Sequence, residues 1–377
     1  MRQINPDVVA VFPITPSTPI VEAFSTMAAN GLVDTEFVAV ESEHSALSAC
    51  IGASAAGARA QTVSSSQGLA LMWELMFVAS GLRLPIVMHC ASRALSAPLN
   101  IHCDHSDTMG LRDSGWIQLY ATNPQEAYDH AILSTSIAEH PDVLLPTLHT
   151  QDGYTVTHST ERVQLYPDEA VSTFIGEYCP ERSLLDTRNP TTVGPIVGFD
   201  YYFEFKRQVV EAIDGALEVI PRIFRKFEAL TGRSYHMVEE EELADAEIAL
   251  VTLGSSAGTI QSVVRDLRRR GIRVGLLTVR VFRPFPTREV ARALRGCKAV
   301  GVLDRAISFG ATGNPLYMDV LGSLTSEEMG PVLAGYAYGL GGRDLVPQQV
   351  VEVYADLARV AESGPRAQQL RYIGLRE

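Results

Sequence analysis

A chain of 377 residues, 46% hydrophobic and 20% charged, is long enough for two α/β domains, each with its own core. Its net charge of −13 argues against nucleic acid or an anionic membrane surface as partner. Five scattered cysteines (Cys50, Cys90, Cys103, Cys179 and Cys297) with no CxxC argue against iron–sulfur or zinc ligation by this chain alone, and fit free thiols in a reducing cytosol.

The start, MRQINPDVV, has no charged-then-apolar signal pattern. The most apolar stretch, 69–91, is broken by Glu74 and Arg83, so a cytoplasmic protein with no membrane span is expected. Apolar runs at 8–12, 36–40, 60–63, 85–91, 117–120 and 143–148 read as strands. Helical stretches at 20–30, 42–57, 68–81 and 124–140 lie between them. This alternation predicts a doubly wound, mostly parallel α/β sheet. After the first strand, FPITPST at 12–18 sets two prolines around Thr15, which ends the strand in a stiff turn. The small-residue run from Ser48 to Gly57 suits a helix that another backbone approaches closely.

Residues 155–200 carry Pro167, Pro180, Pro190 and Pro195 and predict an irregular crossover. A helix over 201–230 is expected to be interrupted near Pro221. The run Glu239–Glu242 reads as a solvated face at a boundary. A second alternation follows: strand 248–253, a helix opened by Gly254-Ser255-Ser256, strand 273–279, helix 287–294 and strand 299–303. It predicts a second, smaller α/β domain. LGSSAG at 253–258 has neither phosphate-loop spacing.

Several polar groups fall where strands become helices. Glu41-Ser42-Glu43-His44 fits an acidic, capped helix start as well as it fits catalysis. Thr62–Gly68 (TVSSSQG) fits capping or a ligand turn. Arg93 could hold a carboxylate in a bidentate fork or form a structural ion pair. The run Asn100–Asp107 is rich in His, Cys and Asp, but it lacks helix-face spacing and reads as a hydrogen-bonded loop rather than a metal site. Thr15, Glu43, Ser66–Gly68 and Arg93 all follow predicted strand ends, which in a doubly wound sheet line one cleft. One carboxylate and one arginine without a metal suit an organic cofactor and a carboxylate substrate.

FPITPST at 12–18, SEHSALSA at 42–49, SSSQGLALM at 64–72 and ASRALSAPLNIHCDHSD at 91–107 resemble the thiamine-diphosphate-dependent 2-oxoacid:ferredoxin oxidoreductases, in particular the α subunits acting on pyruvate. TVRVFRPFP at 278–286, VLDRAISFG at 302–310 and YGLGGRD at 338–344 resemble the family's second domain, so the likeness spans the chain. It implies a pyrimidine-type thiamine-diphosphate domain with a terminal helical linker over 1–235, then a transketolase C-terminal-like domain over 236–377. Glu43 matches the glutamate that hydrogen-bonds N1′ of the aminopyrimidine and promotes loss of the thiazolium C2 proton. Thr15 and Arg93 match the substrate-contacting residues. Pro13, Ile14, Ser66 and Gln67 fall at cofactor-binding positions.

The resemblance implies oxidative decarboxylation of pyruvate, or its reverse, with coenzyme A and ferredoxin. No GDG…N motif for the diphosphate and its magnesium is present, and no cysteine array. Those elements are expected on β and δ subunits, with a γ subunit completing the assembly and the cofactor shared with β. Eleven residues precede FPITPST, fewer than is usual in the family, so either the start is late or the sheet lacks an element. Phe12 stands where Tyr is common, and Cys103 where many relatives have Gly. Alternatives are a relative acting on oxalate or a branched 2-oxoacid, or a non-catalytic, partner-binding paralogue.

Overall fold

The computed structural model describes residues 1–325, 330–363 and 370–376. Strand β1 (Val8–Val11) shows how the first sheet is sandwiched. Val9 and Val11 cluster with Val21 and Phe24 of the helix Thr18–Ala29. Ala10, facing the other way, joins Ala46, Leu47 and Cys50 of the helix Glu43–Ala55. Side chains alternate along a strand, so helices on both faces require apolar residues at successive positions. Hence these strands read as unbroken hydrophobic runs.

The remaining strands of this sheet are β2 (Glu36–Ala39), β3 (Ala60–Ser64), β4 (Val87–Ser92), β5 (Ile117–Ala121) and β6 (Thr147–Asp152), all parallel. Their order is β5-β6-β4-β3-β1-β2, so the carboxyl ends of β4, β3, β1 and β2 lie side by side. The second sheet contains β7 (Val238–Glu241), β8 (Ile248–Thr252), β9 (Val274–Val279), β11 (Ala299–Asp304), β12 (Val332–Ala337) and β13 (Arg371–Tyr372). Strand β10 (Val281–Arg283), one residue after β9, instead pairs antiparallel with β5 and closes the edge of the first sheet. The mixed α/β architecture is the one expected; the exchange of β10 between sheets was not.

Four elements depart from the sequence reading. Of the run 143–148, the first four residues bury Val143 and Leu145 but do not belong to the strand. Leu144 adopts φ +42° and Pro146 has no N–H, so pairing starts at Thr147. The stretch 68–81 divides at Met72 into Gln67–Leu71 and Trp73–Gly81. The crossover contains a helix, Asp168–Ile175. The helix Tyr202–Thr231 continues through Pro221. Its buried stripe of Ala212, Ala216, Val219, Ile220, Ile223, Phe224 and Phe227 offsets the roughly 3 kcal/mol an interior proline costs.

The acidic run is also more than a solvated face. Glu239–Glu241 belong to edge strand β7, and each carboxylate meets an arginine: Glu239 with Arg280, Glu240 with Arg292 and Glu241 with Arg265. Charge along an edge strand discourages pairing with another chain. All five cysteines are free thiols, four of them buried. No helix among the described residues is long and apolar enough to cross a membrane.

Candidate active site

The start of the helix Glu43–Ala55 sorts the ambiguous tetrad Glu41–His44. Ser42 is extended, and its Oγ accepts the Ser45 N–H at 3.1 Å. Glu41 accepts from the Ser45 hydroxyl at 2.6 Å, and His44 pairs with exposed Glu74 at 2.8 Å. Capping therefore accounts for Glu41 and Ser42, and a surface pair for His44. Glu43 is left turned inward, 7% exposed, with no hydrogen-bond donor to its carboxylate among the described residues. A buried carboxylate without a donor is costly unless a ligand supplies one.

The turn after β3 presses on that carboxylate. A Cβ on Gly68 would sit 2.9 Å from Glu43 Oε1, so only glycine permits the approach. Ser66 adopts φ +50°, ψ −120°, a region that non-glycine residues rarely occupy. Its hydroxyl reaches Gln67 Oε1 and the Ala94 carbonyl, both at 2.6 Å. Ser64 and Ser65 hydroxyls are buried without protein partners among the described residues.

Arg93 leaves the end of β4 and is 7% exposed. Its Nε donates to the Asn100 carbonyl at 3.0 Å and its Nη1 to the Thr15 carbonyl at 2.9 Å. Nη2 has no partner, and no carboxylate pairs with the guanidinium, among the described residues. Thr15 is exposed, as is Pro13; Ile14 is half-buried. The Ile14 carbonyl accepts from Ser17 N at 2.8 Å, Ser17 Oγ at 2.7 Å and Thr18 N at 3.1 Å, which anchors the turn to the next helix. The structure thus brings Thr15, Arg93, Ser66 and Gln67 together through hydrogen bonds, those of Ser66 and Arg93 meeting on Asp107, with Glu43 reached across Gly68.

The loop 100–107 is a hydrogen-bonded structure. Asn100 holds the His102 N–H at 2.7 Å and donates to the Gly341 carbonyl at 2.9 Å. Asp104 accepts from Ser106 N at 3.0 Å and Gly341 N at 3.1 Å. Cys103, His105 and Asp152 place their ligand atoms within 4.8 Å of one another. That set does not suit a cation, because the Arg305 guanidinium already lies 2.9 Å from Asp152 and neutralises its carboxylate.

Two residues matter more here than their sequence context suggests. Asp107 accepts from Ser66 N and Arg93 N, each at 3.0 Å, and from Thr108 N at 2.7 Å. Asp152, at the end of β6, accepts from His105 Nε2 at 2.9 Å, Arg305 at 2.9 Å and Ser255 Oγ at 2.6 Å. All but Thr108 among these partners are remote in sequence, and those of Asp107 are backbone amides, so no motif marks them.

A family model for pyruvate flavodoxin/ferredoxin oxidoreductase, thiamine diphosphate-binding, matches residues 1–225. A second, for pyruvate:ferredoxin oxidoreductase core domain II, matches 246–350. The chain therefore belongs to the pyruvate flavodoxin/ferredoxin oxidoreductase family, a family of oxidoreductases. It is 52% identical to pyruvate synthase subunit PorA of Thermotoga maritima over 377 residues, covering 100% of this chain and 95% of the relative. It is 43% identical to pyruvate synthase subunit PorA of Pyrococcus abyssi over 373 residues, covering 99% and 94%. Its fold matches a solved 2-oxoglutarate:ferredoxin oxidoreductase from Magnetococcus marinus with TM-score 0.70 and 18% identity, over 94% of this chain and 62% of that one.

Proposed function

We propose that this chain is the α subunit of a thiamine-diphosphate-dependent pyruvate:ferredoxin oxidoreductase of the cytoplasm. Pyruvate, coenzyme A and two oxidised ferredoxins give acetyl-coenzyme A, CO2, a proton and two reduced ferredoxins, or the reverse. The observation that carries this reading is a buried Arg93 with a free Nη2 and no carboxylate partner, together with a buried Glu43 that no protein donor satisfies, both among the described residues. The 52% identical relative is named a pyruvate synthase subunit.

The donor set fits the aminopyrimidine half of thiamine diphosphate. Glu43 would hold N1′, with Pro13, Ile14, Ser66 and Gln67 around the ring. When bound, the cofactor supplies the electron sink that decarboxylation needs. Arg93 holds the substrate carboxylate by charge-assisted hydrogen bonds, and two backbone carbonyls keep its fork in place. Thr15 hydrogen-bonds near the reacting carbon. A hydrogen bond between Glu43 and N1′ would favour the protonation state that the chemistry uses.

Residues 1–235 form the pyrimidine-type domain and 236–377 the transketolase C-terminal-like domain. A β subunit holds the diphosphate and magnesium, and γ and δ subunits complete the path to ferredoxin, with the iron–sulfur clusters on partners. Assay of the native complex with pyruvate, oxalate and a branched 2-oxoacid tests the reading. Pyruvate turnover dependent on coenzyme A is expected, and Glu43→Gln should lower it at least about 100-fold. Turnover of oxalate or the branched acid alone overturns the substrate. Near wild-type activity of Glu43→Gln removes Glu43 from its role. A complex without thiamine or iron is a non-catalytic paralogue.

A further inference from the structure

We propose that Asp107 is the positioning residue of this site, its carboxylate holding the Ser66 turn and the Arg93 backbone in one fixed relation. The inference rests on the reading of Arg93 as the partner of the substrate carboxylate. Asp107 sits in the short helix Ser106–Gly110 and is 3% exposed. One oxygen, Oδ2, accepts from both Ser66 N and Arg93 N, each at 3.0 Å. The other, Oδ1, accepts from Thr108 N at 2.7 Å.

The first two donors belong to the turns after β3 and β4, which are neighbours in the sheet. Those turns are laced a second time, because the Ser66 hydroxyl donates to the Ala94 carbonyl and Leu95 N donates to Ser106 Oγ at 3.0 Å. Asp107 is thus a fixed acceptor at the junction of the two turns. It stabilises Ser66 in a backbone conformation that non-glycine residues rarely adopt. It also sets where the Arg93 side chain leaves the sheet.

No cation pairs with this carboxylate among the described residues. The Arg93 guanidinium turns away from it, to the Asn100 and Thr15 carbonyls. The titratable groups that bear on Asp107 are Asp104 and Cys103 on its own loop, Cys90 on β4 and Tyr120 on β5, none of them cationic. Burial pushes the Asp107 carboxyl up to about 7, against the pull of its three N–H donors.

The test is Asp107→Ala in the assembled complex, read by kinetics and by amide hydrogen exchange. The Ser66 and Arg93 amides should lose protection about 10-fold or more while the sheet keeps its own, and KM for pyruvate should rise about 10-fold with a smaller change in kcat. Wild-type protection at both turns, or an unchanged KM, overturns the proposal. If the alanine variant does not assemble, Asp107→Leu, of similar shape and with no acceptor, is read the same way, and wild-type values on both readouts overturn the proposal there too. If the wild-type complex turns over no 2-oxoacid, the proposed function fails, and the exchange readout still decides the role of Asp107.

Discussion

At the scale of single residues, Arg93 shows how a side chain is reserved for a ligand. Asn100 and Thr15 offer it only neutral carbonyls, which orient the fork without cancelling its charge. A lysine would keep the charge but could not hold two carbonyls and still present a planar donor pair. Arg93→Lys should therefore raise KM for the 2-oxoacid about 10- to 100-fold, the worth of a charge-assisted hydrogen bond, with kcat less affected. Steady-state kinetics of the complex checks this, and an unchanged KM would remove Arg93 from substrate binding. Glu43 illustrates the complementary case, a carboxylate whose neighbours Glu41, Ser42 and His44 are all engaged with other groups.

At the scale of elements, the helix Pro124–Ala138 packs polar groups against the first sheet. His130 is fully buried with neither ring nitrogen hydrogen-bonded within the described chain. His149 on β6 touches His89 on β4 at 2.5 Å between ring nitrogens. Burial holds His130 down at about 4 and His149 at about 3, and it holds His89 well below the ordinary value. An unfolded chain takes up these protons near pH 6.5, whereas the fold refuses them until far lower pH. Stability contributed by the neutral rings is therefore present above about pH 6.5 and drains as the pH falls toward 4. His130→Leu should flatten this slope, raising the melting temperature at pH 5 relative to wild type and leaving it equal or higher at pH 8. Melting curves at the two pH values decide it; a steeper acid loss in the variant would show that His130 has a partner after all.

At the scale of the molecule, the two sheets are locked together beneath the site. Asp152 carries the largest share, joining His105 in the first half to Arg305 and Ser255 in the second. Burial alone would raise its pKa, but His105 and Arg305 outweigh burial and hold the carboxyl well below the usual range. Arg280 adds a second tie, from the end of β9 to Glu126 at 3.0 Å, and β10 a third. Asp152→Asn leaves Arg305 buried without its counter-charge, and should cost about 3–5 kcal/mol, seen as a lower melting temperature of the complex. A loss below about 1 kcal/mol would show that the remaining ties suffice. The same carboxylate contributes its stability above about pH 4 and loses it as acid protonates it, in the same direction as the histidines but at lower pH.

The alternation of strand and helix, the capped start at Ser42, the stiff turn at Thr15 and the strand-end placement of Glu43, Ser66 and Arg93 were all legible in the sequence. Each depends on local preference or on the period of apolar residues, which neighbours in the chain determine. Its motifs also carried the family resemblance. Tertiary structure alone decided what is held by partners far apart in the chain. Pro221 remains helical because one face of its helix is buried. Val281–Arg283 completes the first sheet because the edge of β5 is open to it. Asp107 and Asp152 acquire their importance from backbone amides and cations that only folding brings within 3 Å. A hydrogen bond to a backbone N–H demands no particular residue from its donor, so it leaves no mark in the sequence that makes it.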